Sequence, residues 1–259
     1  MTTGDRQVTR GRKGIPANER LIVPLDVGSF DEARALVEEL GSAVNFYKIG
    51  LQLLLAGGGF TGEYTSFVTW LVERHKKVMV DIKIFDIPRT VEAAVKQLRG
   101  RGVTFVTVHG TDEILRAAVA EKNDVQVLAV TVLTSFDRQD VRDLGLDVDI
   151  KTLVTSRAKR ALALGCDGVI SSGLEAKELR GQFGERFLIL VPGVRPGWNR
   201  EEPWDRDDQK RVVALSQAFE NGADYVIVGR PIRQADNPRR SAEEIQAQIA
   251  AFAEQRPAR

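Results

Sequence analysis

The chain of 259 residues lacks most of the features that would commit it to a special environment. It has one cysteine, Cys166 in "LGCDGVI", so neither a disulfide framework nor a thiolate metal cluster can form within one chain. A small buried thiol between helix and strand is the reading for that residue. No window approaches the roughly 18 uninterrupted apolar residues of a membrane span. The first 20 residues lack the apolar stretch of a secretory signal, so a cytoplasmic protein is expected. Charge of one sign is missing too. Lys plus Arg total 37 against 36 Asp plus Glu, a formal net charge of +1, which leaves no global field to attract nucleic acid or an acidic membrane. Any anion has to be caught locally.

What is present is an ordinary globular composition, 43% hydrophobic and 28% charged, with enough apolar side chains for a full core. The opening "MTTGDRQVTRGRKGIPANER" is polar, basic and aperiodic, and residues 1–20 are expected to be a loose tail. From Leu21 onward, short β-branched runs alternate with stretches of helical period, the pattern of βα units and a parallel sheet. Eight strands are expected: Leu21 to Asp26, Asn45 to Ile49, Val78 to Lys83, Phe105 to His109, Val125 to Val132, Gly168 to Ser171, Phe187 to Val191 and Tyr225 to Val228. Helix starts are legible between them. In "SFDE", Ser29 can cap a helix and Glu32 can reach back to complete a capping box; "RTVEAAVKQLRGRG" gives another helix, with Gly100 and Gly102 as stop signals. No Pro- or Gly-rich linker divides the units. The α/β fold expected is a single (β/α)8 barrel over residues 21–259, a size usual for that fold at about 250 residues; an open doubly wound sheet is the alternative, and closure is favoured because the spacing stays regular to the last helix.

Barrels of this kind carry their active site at the carboxyl ends of the strands, and those ends are unusually polar here. "PLD" brings Asp26 to the first, "YKIG" puts Lys48 on the second, and "VMVDIKIFDIPRT" closes the third with Asp81, Lys83 and Asp86. Burying such charges costs several kcal/mol that pairing only partly repays, so fold alone gives them little reason to be there. Strand alternation predicts Asp81 and Lys83 on one face. Held between carboxylates, Lys83 is expected to stay an ammonium and serve as a proton donor, because a Schiff-base lysine needs a less acidic setting. Taken alone, the cluster also reads as a structural ion-pair network.

A second signal is independent. "PGVRPG" supplies Gly193 and Arg195 after the seventh strand, and "VGRPI" supplies Gly229 and Arg230 after the eighth. Those two loops often cradle phosphate in this fold. Glycine allows close backbone approach, and arginine forks onto phosphate oxygens.

The strings "YKIG", "DIKIFDIPRT", "VTVLTS", "PGVRP" and "GADYVIVGRPI" together resemble the orotidine 5′-phosphate decarboxylase family, from about Leu21 to about Arg233. The resemblance implies decarboxylation of orotidine 5′-monophosphate to uridine 5′-monophosphate in pyrimidine synthesis, with no metal and no cofactor. It makes Lys83 the acid that protonates ring carbon 6 and sets Asp81 against the substrate carboxylate. Lys48 and Asp86 complete the charge row. Asp86, Ile87 and Thr90 are implied to come from the other subunit of a homodimer. Asp26 and Lys48 are implied to contact the ribose, Thr134 and Ser135 the pyrimidine edge, and Arg195, Gln209, Gly229 and Arg230 the phosphate.

Two departures stand out. Phe85 occupies a place where many members carry histidine, which is expected to change packing and not chemistry. Gln209 is reached through a long charged loop containing Trp198 and Trp204. Elsewhere, His109 reads as a hydrogen-bonded structural histidine, His75 as a solvated helix end, and "GGG" at 57–59 as a turn. Two rival readings remain. A magnesium-dependent sugar-phosphate decarboxylase or aldolase resembles the third-strand motif, but such relatives place a glutamate where Lys48 stands, and magnesium needs oxygen ligands. A non-catalytic nucleotide-phosphate-binding barrel would keep the phosphate loops and break the charge row.

Overall fold

Short β-branched runs pair in parallel when helices cover their outer face. In the computed structural model, which describes residues 14–56, 62–197 and 211–255, eight such runs close into one barrel. The described strands are β1 Leu21–Pro24, β2 Phe46–Gly50, β3 Lys77–Ile84, β4 Phe105–Val108, β5 Gln126–Val130, β6 Gly168–Ile170, β7 Leu188–Val191, β8 Val194–Arg195, β9 Val213–Ala214 and β10 Tyr225–Ile227. Strands β1 to β7 follow one another around the barrel, and β10 closes it by pairing with β1 at Leu21↔Val226 and Ile22↔Ile227. All eight expected strands are there, their ends moved by at most two residues.

The alternation of side chains divides the core in two. Tyr47, Ile49, Val78, Val80, Val106 and Val108 point outward into the layer shared with the helices. Between them, Phe46, Met79 and Phe105 point inward, where they meet Ile22, Leu128, Leu190 and Tyr225. The next inward residues toward the carboxyl ends are Lys48, Asp81 and Thr107, all buried. Each strand thus runs from an aromatic or aliphatic floor to a polar mouth. The phenyl rings of Phe46 and Phe105 lie 5.2 Å apart and both meet Tyr225 edge-on, a packing that fills the lower barrel and leaves no channel.

Several expectations need correction. The loose tail was expected through residue 20, but Ile15 is packed into the barrel interior and Arg20 is buried. Arg20 donates to the Ile15 and Asp224 carbonyls, tying residues 15–20 across the barrel floor. Ser29 caps the helix Phe30–Leu40 by accepting from the Glu32 N–H at 3.2 Å, but the Glu32 carboxylate reaches one residue further than a capping box, to the Gly28 N–H. The helix Pro88–Lys96 unwinds into turns before Gly100 and Gly102. Strands β8 and β9 were not expected at all. They pair Val194 with Val213 and Arg195 with Ala214 in a separate two-stranded sheet.

Cys166 is buried with its thiol pushed up to about 12 by burial, the inert state expected of it. His75 is exposed just after the helix Glu63–Glu73. The "GGG" at 57–59 lies outside the described residues. No described helix is long and apolar enough to cross a membrane.

Candidate active site

The inward polar residues and the loops beyond them enclose a cavity of about 700 Å³ at the carboxyl end of the barrel. Asp26, Lys48, Asp81, Lys83, Thr134, Ser135, Arg195, Gly229 and Arg230 all line it, so residues far apart in sequence converge as expected. Asp86, Ile87 and Thr90 do not line it and are exposed. The Asp86 carboxylate accepts from the Ile87 N–H at 2.7 Å, so the charge row within one chain ends at Lys83. Gln209, Trp198 and Trp204 lie outside the described residues.

The row is built across three strand ends. Lys48 Nζ lies 3.2 Å from Asp26 Oδ1 and 3.2 Å from Asp81 Oδ2, and Lys83 Nζ donates to Asp81 Oδ1 at 2.9 Å. Signs therefore alternate Asp26, Lys48, Asp81, Lys83. Burial pushes the Asp81 carboxyl upward, but the two lysines and hydrogen bonds from Lys83 and Thr107 outweigh it and leave the pKa below its usual value. Burial lowers that of Lys48, and Asp81 and Asp26 overcome it, so the ammonium is held more firmly than in water. The central pair is locked as ions. Lys83 is the more exposed lysine of the row, its side chain 37% accessible against 11% for Lys48. Gly50 leaves the row room: a Cβ there would press on Lys48 Nζ at 3.2 Å and touch Asp26 Oδ1 at 3.5 Å.

Alternation places Asp81 and Lys83 on the cavity face, but the strand between them is not regular. The β3–β4 register shifts between Val80 and Ile84, and Lys83 has φ 47°. A side chain bearing Cβ enters that region at a cost of roughly 1–2 kcal/mol, so the backbone is strained where the ammonium is presented.

Across the cavity, Arg195 leaves β8 and Arg230 opens the short helix Arg230–Arg233. Gly193, at φ 69°, makes the turn between β7 and β8 that only glycine takes without strain. Thr134 is buried and Ser135 half-buried on the loop after β5. Three nearby residues escaped sequence reasoning. Thr107 bonds both Asp81 and Lys83; its signal was a polar residue at an inward position of the apolar run "FVTV". Arg233 lines the cavity and donates to the Asp26 carbonyl. Arg211 donates to Glu175 at 2.7 Å and to the Val132 and Leu133 carbonyls, bracing the loop that carries Thr134. Nothing local in the sequence marks either arginine. His109 is half-buried outside the cavity, its ring edge-on to Phe85 at 5.4 Å. Its pKa is lowered by burial and by Arg157, as suits a neutral structural histidine.

Fold and site together define a (β/α)8-barrel enzyme working at the carboxyl ends of its strands. Residues 19–245 match the family described as Orotidine 5′-phosphate decarboxylase / HUMPS. The chain is 54% identical over 237 residues to orotidine 5′-phosphate decarboxylase of Methylococcus capsulatus, covering 92% of this chain and 94% of that protein. It is 43% identical to the enzyme of the same name from Nitrobacter winogradskyi, over 90% of this chain and 94% of that one. Among solved structures, the crystal structure of orotidine 5′-phosphate decarboxylase from Lactobacillus acidophilus superposes with a TM-score of 0.75 at 30% identity, covering 89% of this chain and 99% of that one. The chain belongs to the orotidine 5′-phosphate decarboxylase / HUMPS family.

Proposed function

We propose that this chain decarboxylates orotidine 5′-monophosphate to uridine 5′-monophosphate in the cytoplasm, with Lys83 as the acid. The reading is supported above all by the alternating row Asp26, Lys48, Asp81, Lys83 at the cavity wall. When the bond from ring carbon 6 to the carboxylate breaks, carbon dioxide leaves and the electron pair stays on the ring. The Lys83 ammonium stabilises that developing charge and delivers its proton to carbon 6; the amine is then reprotonated from water. An ammonium fixed beforehand by Asp81 spends no reorganisation energy when the charge forms. Asp81, ionised beside the substrate carboxylate, disfavours the ground state relative to the carbanion.

Arg195, Arg230 and the N–H groups near Gly229 are suited to the 5′-phosphate, joined by Gln209. Thr134 and Ser135 suit the pyrimidine edge, and Asp26 with Lys48 the ribose hydroxyls. The chemistry of the row also favours a metal-free reaction, since Lys48 occupies the position between Asp26 and Asp81 where a divalent cation would have to sit. Turnover of orotidine 5′-monophosphate, followed by loss of pyrimidine absorbance, is expected to survive dialysis against a chelator. Activity recovered only with added magnesium would point instead to a metal-dependent member of the family.

The exposed Asp86, Ile87 and Thr90, beside the exposed ring of Phe85, are proposed to complete the site of a second subunit in a homodimer. Mixing inactive Lys83→Ala and Asp86→Ala proteins is then expected to restore activity, because a mixed dimer holds one site with both residues intact. No recovery after verified subunit exchange would assign each site to a single chain.

A further inference from the structure

Across the β3–β4 seam the strands do not match in length. Val80 pairs with Val106 and Ile84 with Val108, so three residues, Asp81, Ile82 and Lys83, stand opposite the one residue Thr107. The surplus is absorbed at Lys83, whose φ of 47° turns its N–H out of the regular ladder. That N–H donates to Thr107 Oγ1 at 3.0 Å. The same hydroxyl donates its single hydrogen to Asp81 Oδ1 at 2.9 Å, the oxygen that also receives Lys83 Nζ. One buried hydroxyl thus closes a ring through the backbone of Lys83, its ammonium and the Asp81 carboxylate. Thr107 is fully buried and does not line the cavity.

We propose that Thr107 is a positioning residue for the decarboxylation: its hydroxyl holds the bulge that turns Lys83 into the cavity and keeps the Asp81 carboxylate aligned with the Lys83 ammonium. The inference rests on the reading of Lys83 as the acid. A hydroxyl suits the place because it accepts and donates at once. Valine would keep the shape and leave the Lys83 N–H without an acceptor. Regularising the strand would then satisfy the backbone and carry the Lys83 ammonium away from its place beside Asp81. The ionisable groups facing Asp81 are the Lys48 ammonium from β2, the Lys83 ammonium from β3 and, more distantly, the neutral Tyr64 phenol from the helix Glu63–Glu73. Among these contacts only Thr107 ties the carboxylate to the Lys83 backbone.

The test pairs Thr107→Val, which loses the hydroxyl, with Thr107→Ser, which loses the methyl. Steady-state kinetics with orotidine 5′-monophosphate, calorimetric binding of uridine 5′-monophosphate and crystal structures are measured for both. Thr107→Val is expected to lower kcat about 10- to 100-fold, the effect of losing one hydrogen-bonding group in the transition state. Its product affinity should stay within about threefold, because the phosphate loops are untouched. Its Lys83 φ should leave the positive region, while Thr107→Ser keeps that φ and a kcat within about threefold of the parent. The inference is overturned if Thr107→Val turns over normally, if it retains the Lys83 bulge, or if Thr107→Ser is as impaired as Thr107→Val, which would make the methyl's packing the cause. Thr107→Ala replaces the valine variant should that fail to fold. If the parent protein itself does not decarboxylate the substrate, the functional reading falls, and the crystal structures still decide whether the hydroxyl holds the bulge.

Discussion

Both ends of this barrel bury charge, and they do it in opposite ways. At the floor, Arg180 pairs with Asp224 at 2.7 Å and also donates to the carbonyls of Gly222, Gly184 and Phe187. Asp224 in turn accepts from the Ile189 N–H at 2.8 Å. Main-chain groups surround each of these ions. At the mouth, Lys48, Asp81 and Lys83 meet chiefly other side chains, and one side of the row faces open cavity. Main-chain partners cannot be displaced without unfolding a turn, so the floor ions fasten strands to helices. Side-chain partners can be exchanged for groups of a substrate. Buried ion pairs thus suit stability at one end and, on the proposed function, reactivity at the other, according to what completes their coordination.

The sharpest break of that contrast is Lys83→Ala. It is expected to lower kcat by about 10²- to 10⁴-fold or more, the range for removing a general acid. The unfolding free energy should change by less than about 1 kcal/mol, since that lysine is over a third exposed. Kinetics and denaturant unfolding on one preparation check both halves. Asp224→Ala is expected to do the reverse. Leaving Arg180 buried without its anion costs about 3–5 kcal/mol of stability, with kcat unchanged at temperatures where the protein stays folded. Equal losses of activity from the two variants would erase the distinction between floor and mouth.

Arg230→Ala sharpens the comparison within the mouth, because it removes binding charge and leaves the row alone. We expect kcat/KM to fall by about 1.5–3 kcal/mol in transition-state terms, as for a lost charge-assisted phosphate contact, and added guanidinium ion is the natural probe for partial rescue.

The smallest effect is that of pH. Asp81 has a folded pKa below its unfolded value, so its contribution is fully present above the unfolded value near 3.9 and is lost only as pH falls through the lower folded one. Lys48 has a folded pKa above its ordinary 10.5, so its contribution is full below that value and lost only as pH rises beyond it. A kcat flat to within about twofold from pH 5 to 9 follows. The substrate phosphate, with a second pKa of about 6, is left to shape kcat/KM. An inflection in kcat near neutrality would mean that some group outside the row limits the reaction.

Much of this was legible in the sequence because it is local. Apolar runs of strand length, a helix-capping serine at Ser29, and polar residues at strand ends all express short-range rules, and they specified eight strands, a barrel and most of the cavity wall. The two loops proposed to hold phosphate could be singled out because Gly-Arg recurs after the two strands where this fold often binds anions. Asp86, Ile87 and Thr90 could be singled out, but one chain does not bring them to its own cavity.

What the tertiary structure decided depends on register between segments distant in sequence. Alternation predicted that Lys83 shares the face of Asp81, but not the three-against-one mismatch with β4 or the hydroxyl of Thr107 on the Lys83 N–H. Ile15 plugs the floor because the barrel closes around it, Arg233 reaches Asp26 because β10 returns to β1, and β8 and β9 pair only once the ends of a long loop meet. Periodicity says which way a side chain points along its own strand. It carries no information about the strand alongside, and closure of a barrel is a relation between strands.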